Sequence, residues 1–549
     1  LPTDNTSRLN DLLYLLDLQN IRYQKTSKAQ TVDNAINHLG QKIEDVKIPQ
    51  GSIIIQNRQY EAPLISAILA FDTKINDKVL LEERQNTLRD GSSIMYDSTA
   101  WNLSMMYGIP ALEVPEHMTK NLIAVERSKE LGNISDIDNA IAYIVDGGSD
   151  ASVGFAARLM EQNVQVRVLD KQGVFNKHSF NRGSIVVYLY DNVLENTALH
   201  GLIKQAAQDT NAHVTAISQG LGEADLPDIG GEHFKLLKKP QIALLSQNGI
   251  NVEDLGSIWH MIDTQLGVRH SHLNHELLNE MDLRQYNVIV VPSRYYGTLS
   301  KENISSLDNW VENGGSLIVN GNSAKQIANE KDFSEVNLLD KTFGKSAEYN
   351  IALYREWLAQ QETITNSSKI NDHRVATDLW FPWSDNEALK PMDEEKLEAW
   401  DNWNKNFMPS GALVASRTDK KHWLTYGVNE QLPILISNAP LFMVKDGASA
   451  VVRYGVLVDN KKSEAKQVGW STVPKGKDLY IRMSGLIWPE ASQRLANSAY
   501  LTQEAKGNGQ IIMFANKPNF RGATKGTARL LLNAIVYGPG LGASKVINL

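Results

Sequence analysis

Short runs of Ile and Val recur along this chain, each closed off by Gly, Pro, Asn or Asp and separated from the next by helix-forming sequence. They lie at Ser52–Ile55, Ala142–Val145, Val164–Val168, Ser184–Val187, Ile242–Leu245, Val288–Val291, Ser316–Val319, Ile434–Ile436 and Gln510–Phe514. A run that is apolar at successive positions buries both faces, which suits a strand in a parallel sheet covered by helices on either side. Strands of this kind alternating with helices restrict the fold to α/β layering. At 549 residues, and roughly 150 residues per domain, the chain should divide into about three or four units.

The clearest unit starts at Lys239. Gln241–Leu245 reads as a strand, Val252–Leu266 as a helix, Val268–His270 as a short strand and Glu276–Met281 as a helix. Asn287–Val291 is then a strand, Lys301–Asn313 a helix and Gly315–Val319 a strand. Right-handed crossovers wind such a β-α-β-α-β-α-β series into a parallel sheet of flavodoxin-like type. It is similar to class I glutamine amidotransferases, so the expected fold is multi-domain α/β, with this amidotransferase-like sheet and smaller α/β modules beside it. The unit spans 239–345 and, after an interruption, 430–549, closing on a helix Thr527–Tyr537 that stops at Gly538-Pro539-Gly540.

Two smaller modules precede it, at 1–120 and 121–238. The first reads helix (Leu9–Leu18), Asn20-Ile21-Arg22-Tyr23, then Ile48-Pro49-Gln50-Gly51-Ser52-Ile53-Ile54-Ile55. The second reads helix (Val153–Gln162), Asn163-Val164-Gln165-Val166, then Phe180-Asn181-Arg182-Gly183-Ser184-Ile185-Val186-Val187. A helix follows each, at Pro63–Phe71 and Asn196–Asp209. The two read as an internal repeat in which Gly ahead of Ser-Ile supplies a positive φ before the strand, and the first carries about eleven extra residues, a loop insertion; the competing reading is a chance similarity of strand starts.

The interruption, 346–429, is acidic and tryptophan-rich. Trp380-Phe381-Pro382-Trp383-Ser384-Asp385 and Trp400-Asp401-Asn402-Trp403 set flat aromatic faces beside carboxylates and amides, a combination that can hold a sugar or a peptide. Trp380, Trp383, Trp400 and Trp403 are the candidate ligand-binding residues. The competing reading packs Trp400 and Trp403, three apart on a helix, into a core face.

Catalytic and metal residues are harder to find. The chain has no cysteine, which removes disulfides, thiolate metal sites and a cysteine nucleophile together. None of the 12 histidines falls in H-E-x-x-H or H-x-x-E, the spacings that make ligands converge on zinc. His270 and His272 alternate on a strand and share a face, which can hold a metal; the plainer reading is a strand running into a polar loop. Asp146-Gly147-Gly148-Ser149-Asp150 joins a strand to a helix but matches no phosphate-binding motif, and Ser149 or Asp150 reads as a helix N-cap. Ser323, in the turn Asn320-Gly321-Asn322-Ser323, lacks the G-x-S-x-G elbow and an evident base. No catalytic residue, metal ligand or cofactor is therefore expected in this chain.

Net charge of −8 gives nucleic acid no reason to bind. No run approaches the roughly 18–20 apolar residues of a membrane span. The sequence opens Leu1-Pro2-Thr3 without a basic and apolar leader, so no signal peptide is read; a leader or a larger N-terminal piece removed upstream is the expectation.

A series of dispersed blocks carries a resemblance: Tyr96-Asp97-Ser98-Thr99-Ala100-Trp101-Asn102-Leu103 with Tyr107-Gly108-Ile109-Pro110, Arg374-Val375-Ala376-Thr377-Asp378, His422-Trp423-Leu424-Thr425-Tyr426-Gly427, Ser484-Gly485-Leu486-Ile487-Trp488-Pro489-Glu490, and Pro518-Asn519-Phe520-Arg521-Gly522 with Gly526-Thr527. In this order they resemble the C-terminal, amidotransferase-like region of large bacterial secreted carboxypeptidase A-like zinc metallopeptidases. The zinc motif of that family has no counterpart here, so no ligand or catalytic residue carries over. The resemblance implies a non-catalytic accessory region, scaffold or substrate-recognising, with zinc only in an upstream peptidase domain that is its expected partner, and a periplasmic or extracellular location. Two other readings stay open: a glycan- or peptide-binding module centred on the tryptophans, and a hydrolase with an unrecognised non-cysteine nucleophile.

Overall fold

The computed structural model describes residues 5–125, 132–135, 139–330, 332–360 and 393–543. The chain is mixed α/β, with several sheets that include parallel strands. Its first stretch begins with helix α1 (Thr6–Leu18), capped by the Asn5 side chain on the Arg8 N–H. Strands β1 (Gln24–Thr26), the hairpin β2 (Gln30–Ile36) and β3 (Lys42–Ile48), and β4 (Ile53–Ile54) follow, then α2 (Ala62–Leu69) and β5 (Leu122–Ala124).

The second stretch repeats that order with additions: β6 (Ala142–Val145), α3 (Ala151–Glu161), β7 (Arg167–Leu169), a hairpin of β8 (Gly173–Phe175) and β9 (His178–Phe180), β10 (Ile185–Tyr188), α4 (Asn196–Thr210), β11 (Val214–Ile217) and β12 (Phe234–Leu236). The likeness reaches single hydrogen bonds. After the helix, Asn20 and Asn163 each adopt a left-handed turn, at φ 57° and 60°. At the strand start, Gly51 N–H donates to Thr26 O (2.8 Å) and Thr26 N–H to Ser52 O (3.0 Å); Gly183 N–H donates to Leu169 O (2.6 Å) and Leu169 N–H to Ser184 O (2.8 Å). Gly51 and Gly183 hold φ of 82° and 88°, a region where a side chain is strained. The extra residues of the first copy form the longer β2–β3 hairpin rather than a structureless loop.

The third stretch supplies β13 (Ile242–Ser246), α5 (Val252–Met261), β14 (His270–Asn274), β15 (Val288–Val291), α6 (Lys301–Glu312), β16 (Ser316–Asn320), α7 (Gly321–Ile327), α8 (Glu394–Asn404), β17 (Ala448–Tyr454), β18 (Ala499–Lys506), β19 (Gly509–Phe514) and α9 (Lys525–Leu541). Five strands run parallel in the spatial order β14-β13-β15-β16-β19. In chain order that is 2-1-3-4-5, a doubly wound arrangement that reverses direction between its first and third strands. β18 then pairs antiparallel with β19, and β17 with β18. The strands Ala412–Val414 and Ser416–Thr418 fall within the span read above as an insertion, yet Ser416–Thr418 extends this sheet by pairing with β17.

The strand expected at Val164–Val168 is shifted to Arg167–Leu169 and the helix expected at Glu276–Met281 is a 3-10 turn at His275–Glu280; two further differences have a clear physical cause. The edge strand β14 sits at His270–Asn274, beyond the expected Val268–His270, because at a sheet edge polar residues are tolerated and hydropathy does not mark the ends. Helix α9 runs through Gly538-Pro539-Gly540 to Leu541 instead of stopping there; Gly538 O accepts both from Gly542 N–H (3.1 Å) and from the Gln510 side chain (2.9 Å), so the last turn stays bonded although Pro539 has no N–H to give. Residues of α9 from Gly526 to Pro539 are buried throughout.

The stretches are joined by a buried charge cluster. Asp150 occupies the N-cap position of α3, but its side chain caps nothing. It faces away, accepting from Arg8 Nε (3.0 Å) and Nη2 (2.8 Å), Asn5 Nδ2 (2.8 Å) and Arg529 Nη1 (3.1 Å). Arg529 also donates to Ser149 O and Gly147 O. One carboxylate thus ties α1, the start of α3 and α9 together, the physical reason Asp150 does not act as the expected cap.

Candidate functional site

In an open doubly wound sheet, loops leave in opposite directions where the strand order reverses, opening a crevice at the carboxyl ends of those strands. Here that switch point lies between β13 and β15. The loop after β13 contributes Asn248 and Gly249, α5 contributes Asp254, the loop after β15 contributes Ser293 and Arg294, and the end of β16 contributes Asn320. Backbone bonds lock the loops together: Asn251 N–H to Ser293 O and Tyr295 N–H to Gly249 O, both 2.8 Å.

The crevice concentrates buried polar groups that are only partly satisfied. Asp254 is fully buried; its Oδ2 accepts from Ser293 N–H (2.7 Å) and Asn320 Nδ2 (3.4 Å). Its Oδ1 has no partner among the described residues, and neither has Asn320 Oδ1. Burial raises the Asp254 carboxyl above its usual range, against the lowering effect of the Ser293 N–H. Arg294 is 6% exposed and donates only from Nη2, to Asn248 O at 3.3 Å; its Nε and Nη1 are unpartnered among the described residues. Burial lowers its pKa, partly offset by Glu276. His275 holds the same Asn248 carbonyl at 2.7 Å. Groups that are buried and half-paired normally cost stability, and they gather where a sheet of this order binds ligands.

The turn after β16 completes the wall. Gly321 holds φ 51°, and a Cβ there would come within 2.6 Å of Ser293 Oγ, so the tight strand-to-helix turn requires glycine. Asn322 donates from its backbone to Ser293 Oγ (3.2 Å) and from its side chain to Arg294 O (3.0 Å). Ser323 is buried and donates to Pro292 O at 2.7 Å, with no hydrogen-bonded base among the described residues. Amides, a guanidinium and a carboxyl thus gather, buried, at the switch point, and among the described residues none of them activates a nucleophile.

Of the sequence-expected ligand residues, Trp380 and Trp383 lie outside the described residues, as does the block Arg374–Asp378. Trp400 and Trp403 sit on α8 but share no face of the core. Trp400 is half-buried against Gly469, whereas Trp403 is 50% exposed, its ring 5.5 Å from that of Phe407. The buried face of α8 is made instead by Leu397, Asp401 and Asn404, with Asp401 accepting from Arg494 Nε at 2.7 Å. His270 and His272 do share a face of β14, with their Nε2 atoms 3.3 Å apart and Trp259 edge-on to His272. Among the described residues no three His or carboxylate side chains converge as a metal site, and no helix is long and apolar enough to cross a membrane.

Asp254, Arg294 and Asn320 were not singled out from sequence. The only signal for them is topological, since Asp254 and Arg294 follow the strands that flank a reversal and Asn320 ends the next strand, an order that appears once the pairing is known.

No family model matches the sequence, and no curated relative is found for it. Among solved structures the chain is similar to a ThuA-like protein from Bacteroides uniformis (11% identity, 54% of this chain and 89% of that one, TM-score 0.25). It is similar also to a β-galactosidase from Bacillus circulans (11% identity, 66% and 38%, TM-score 0.26) and an exo-β-1,4-mannosidase from an Opitutaceae bacterium (8% identity, 61% and 38%, TM-score 0.24). The matched part spans well under half of either glycosidase. Scores this low assign neither a fold nor an activity to the chain.

Proposed function

We propose that this chain is a non-catalytic accessory region of a secreted, zinc carboxypeptidase-like protein acting in proteolysis, in which it serves as scaffold and substrate-recognition surface. On this reading the parallel sheet is a flavodoxin-like, amidotransferase-like domain that has kept its crevice and lost its chemistry, and the zinc and its ligands belong to an upstream peptidase domain in a periplasmic or extracellular protein. The observation that carries the reading is the turn Asn320-Gly321-Asn322-Ser323. Amidotransferases of this class place a nucleophilic cysteine on a tight strand-to-helix turn, and this turn presents a glycine, an amide already bonded to the backbone and a buried serine committed to Pro292 O. The scaffold role draws support from the Asp150 cluster, which makes the first stretch, the second and α9 one charge-locked assembly.

The test is turnover by the purified chain with added zinc, on a C-terminal peptide analogue and on a panel of amides and esters. The reading expects none above the buffer rate; hydrolysis that follows the chain through purification and falls in Ser323→Ala would overturn it.

A further inference from the structure

Strand β14 is the outer strand of the doubly wound sheet. It pairs along its whole length with β13 and, among the described residues, with no strand on its other side. Side chains two apart on a strand share a face, so His270 and His272 stand side by side. Their Nε2 atoms are 3.3 Å apart, the ring centroids 5.2 Å apart and the planes inclined at 50°. Both rings thus turn the same nitrogen towards one point. The separation is long for a hydrogen bond, since good N–H···O bonds lie at about 2.7–3.2 Å. It matches the bite of a metal chelate. Zn–N bonds are about 2.0–2.1 Å long, and two nitrogens 3.3 Å apart then subtend about 104–111° at the ion, close to the tetrahedral angle zinc adopts. A square-planar copper(II) ion would want about 90° and nitrogens about 2.9 Å apart.

The surroundings hold the rings and set their protonation. The His270 side chain is only 9% exposed, and its Nδ1 lies 3.7 Å from Asp263 Oδ1, on the π-helical turn Ile262–Leu266 that continues α5. A carboxylate on that side favours the proton on Nδ1, which leaves the Nε2 lone pair facing His272. Metal-ligating histidines are oriented by carboxylates in this way. His272 is exposed, with Trp259 edge-on to it and the ring centroids 4.7 Å apart. A pair restrained by its neighbours loses little freedom when it takes up an ion. The adjacent cation, Arg269, is committed to Glu161 at 3.2 Å. Among the described residues no third His or carboxylate joins the two, so water completes the coordination of an ion held there.

We propose that His270 and His272 form a two-histidine zinc site on the outer strand of the sheet, with Asp263 as the carboxylate that orients His270 and solvent on the remaining positions. Asp263 is a positioning residue and not a ligand. The site is separate from the upstream zinc of the accessory-region reading, and neither depends on the other.

The test titrates zinc into the whole, metal-stripped chain by calorimetry. Cobalt(II) serves as a spectroscopic stand-in, because its visible absorption is intense only in tetrahedral coordination. One ion per chain is expected, with a micromolar Kd and intense cobalt bands. His272→Asn, at an exposed position, should weaken zinc binding by at least about a hundredfold with an unchanged circular dichroism spectrum. Asp263→Asn should weaken it by about tenfold, and Asp263→Glu should recover most of that loss; an unchanged affinity in Asp263→Asn would overturn the carboxylate's part. Equal affinity in the parent and His272→Asn would place the ion on other histidines and overturn the proposal. Should that variant misfold, the cobalt spectrum of the unaltered chain decides, and weak bands or no saturable binding would overturn it. Half an ion per chain, with zinc-dependent dimers, would give the open positions to a second copy and overturn the water-completed site as well.

Discussion

Replacing Asp150 tests whether the stretches are locked as one body. Burial raises this carboxyl, but Arg8, Arg529 and Asn5 more than offset that and hold it at about 2, against an ordinary 3.8. A depressed carboxylate stabilises the fold above its unfolded pKa and ceases to as pH falls through its folded value. The difference corresponds to about 2 kcal/mol, present above pH 3.8 and lost towards pH 2. Asp150→Ala goes further, because it strands two arginines whose side chains are 2% and 0% exposed, and removing one partner of a buried pair costs about 3–5 kcal/mol. Urea unfolding from pH 2.5 to 7, with hydrogen exchange followed on α1 and α9, measures both effects. The variant should lose stability at pH 7, and its deficit should shrink in acid as the parent loses its own carboxylate. Exchange should rise in α1 and α9 together. A deficit that is below about 1 kcal/mol and flat with pH would refute the lock.

Three further outcomes are expected. Glu504 is 3% exposed, and burial raises it to about 7 against the lowering effect of the Glu335 N–H; its neutral form is the one the fold prefers, so it costs stability as pH rises from 4.5 towards 7. Glu504→Gln should stabilise the protein at pH 8 by up to about 3 kcal/mol and not at pH 4, and equal melting shifts at both would contradict this. Arg84, on the helix Asp77–Asp90, lies 4.0 Å over Phe407 and 5.0 Å from Trp488 and pairs with Glu490; Arg84→Ala should lower stability by about 1–3 kcal/mol, read by urea midpoint. Trp403→Ala should cost under about 1 kcal/mol in the same assay, since half the side chain is already in water.

The strands buried on both faces are legible because burial explains four consecutive apolar residues. Ala142–Val145 and Val288–Val291 have the ends expected of them. The duplicated turn was legible from Gly-Ser-Ile, where a left-handed glycine must precede the strand. β17 and β18 are not legible in the sequence: β18 carries Thr502, Gln503 and Glu504, and Glu504 is buried by tertiary contacts that the hydropathy of the strand does not announce. Asp150 read as a cap because its partners lie 142 and 379 residues away. The crevice depended on strand order, which periodicity cannot supply, whereas the tryptophans stood out by composition although Trp400 and Trp403 form no common face.

A non-catalytic role requires that the turn after β16 hold nothing that attacks a carbonyl. Intact mass spectrometry after incubation with a fluorophosphonate, which captures activated serines, measures this most directly. The chain should remain at its unmodified mass after a prolonged exposure that labels a serine hydrolase to completion. A stoichiometric adduct mapped to Ser323 or Ser293 would contradict the account.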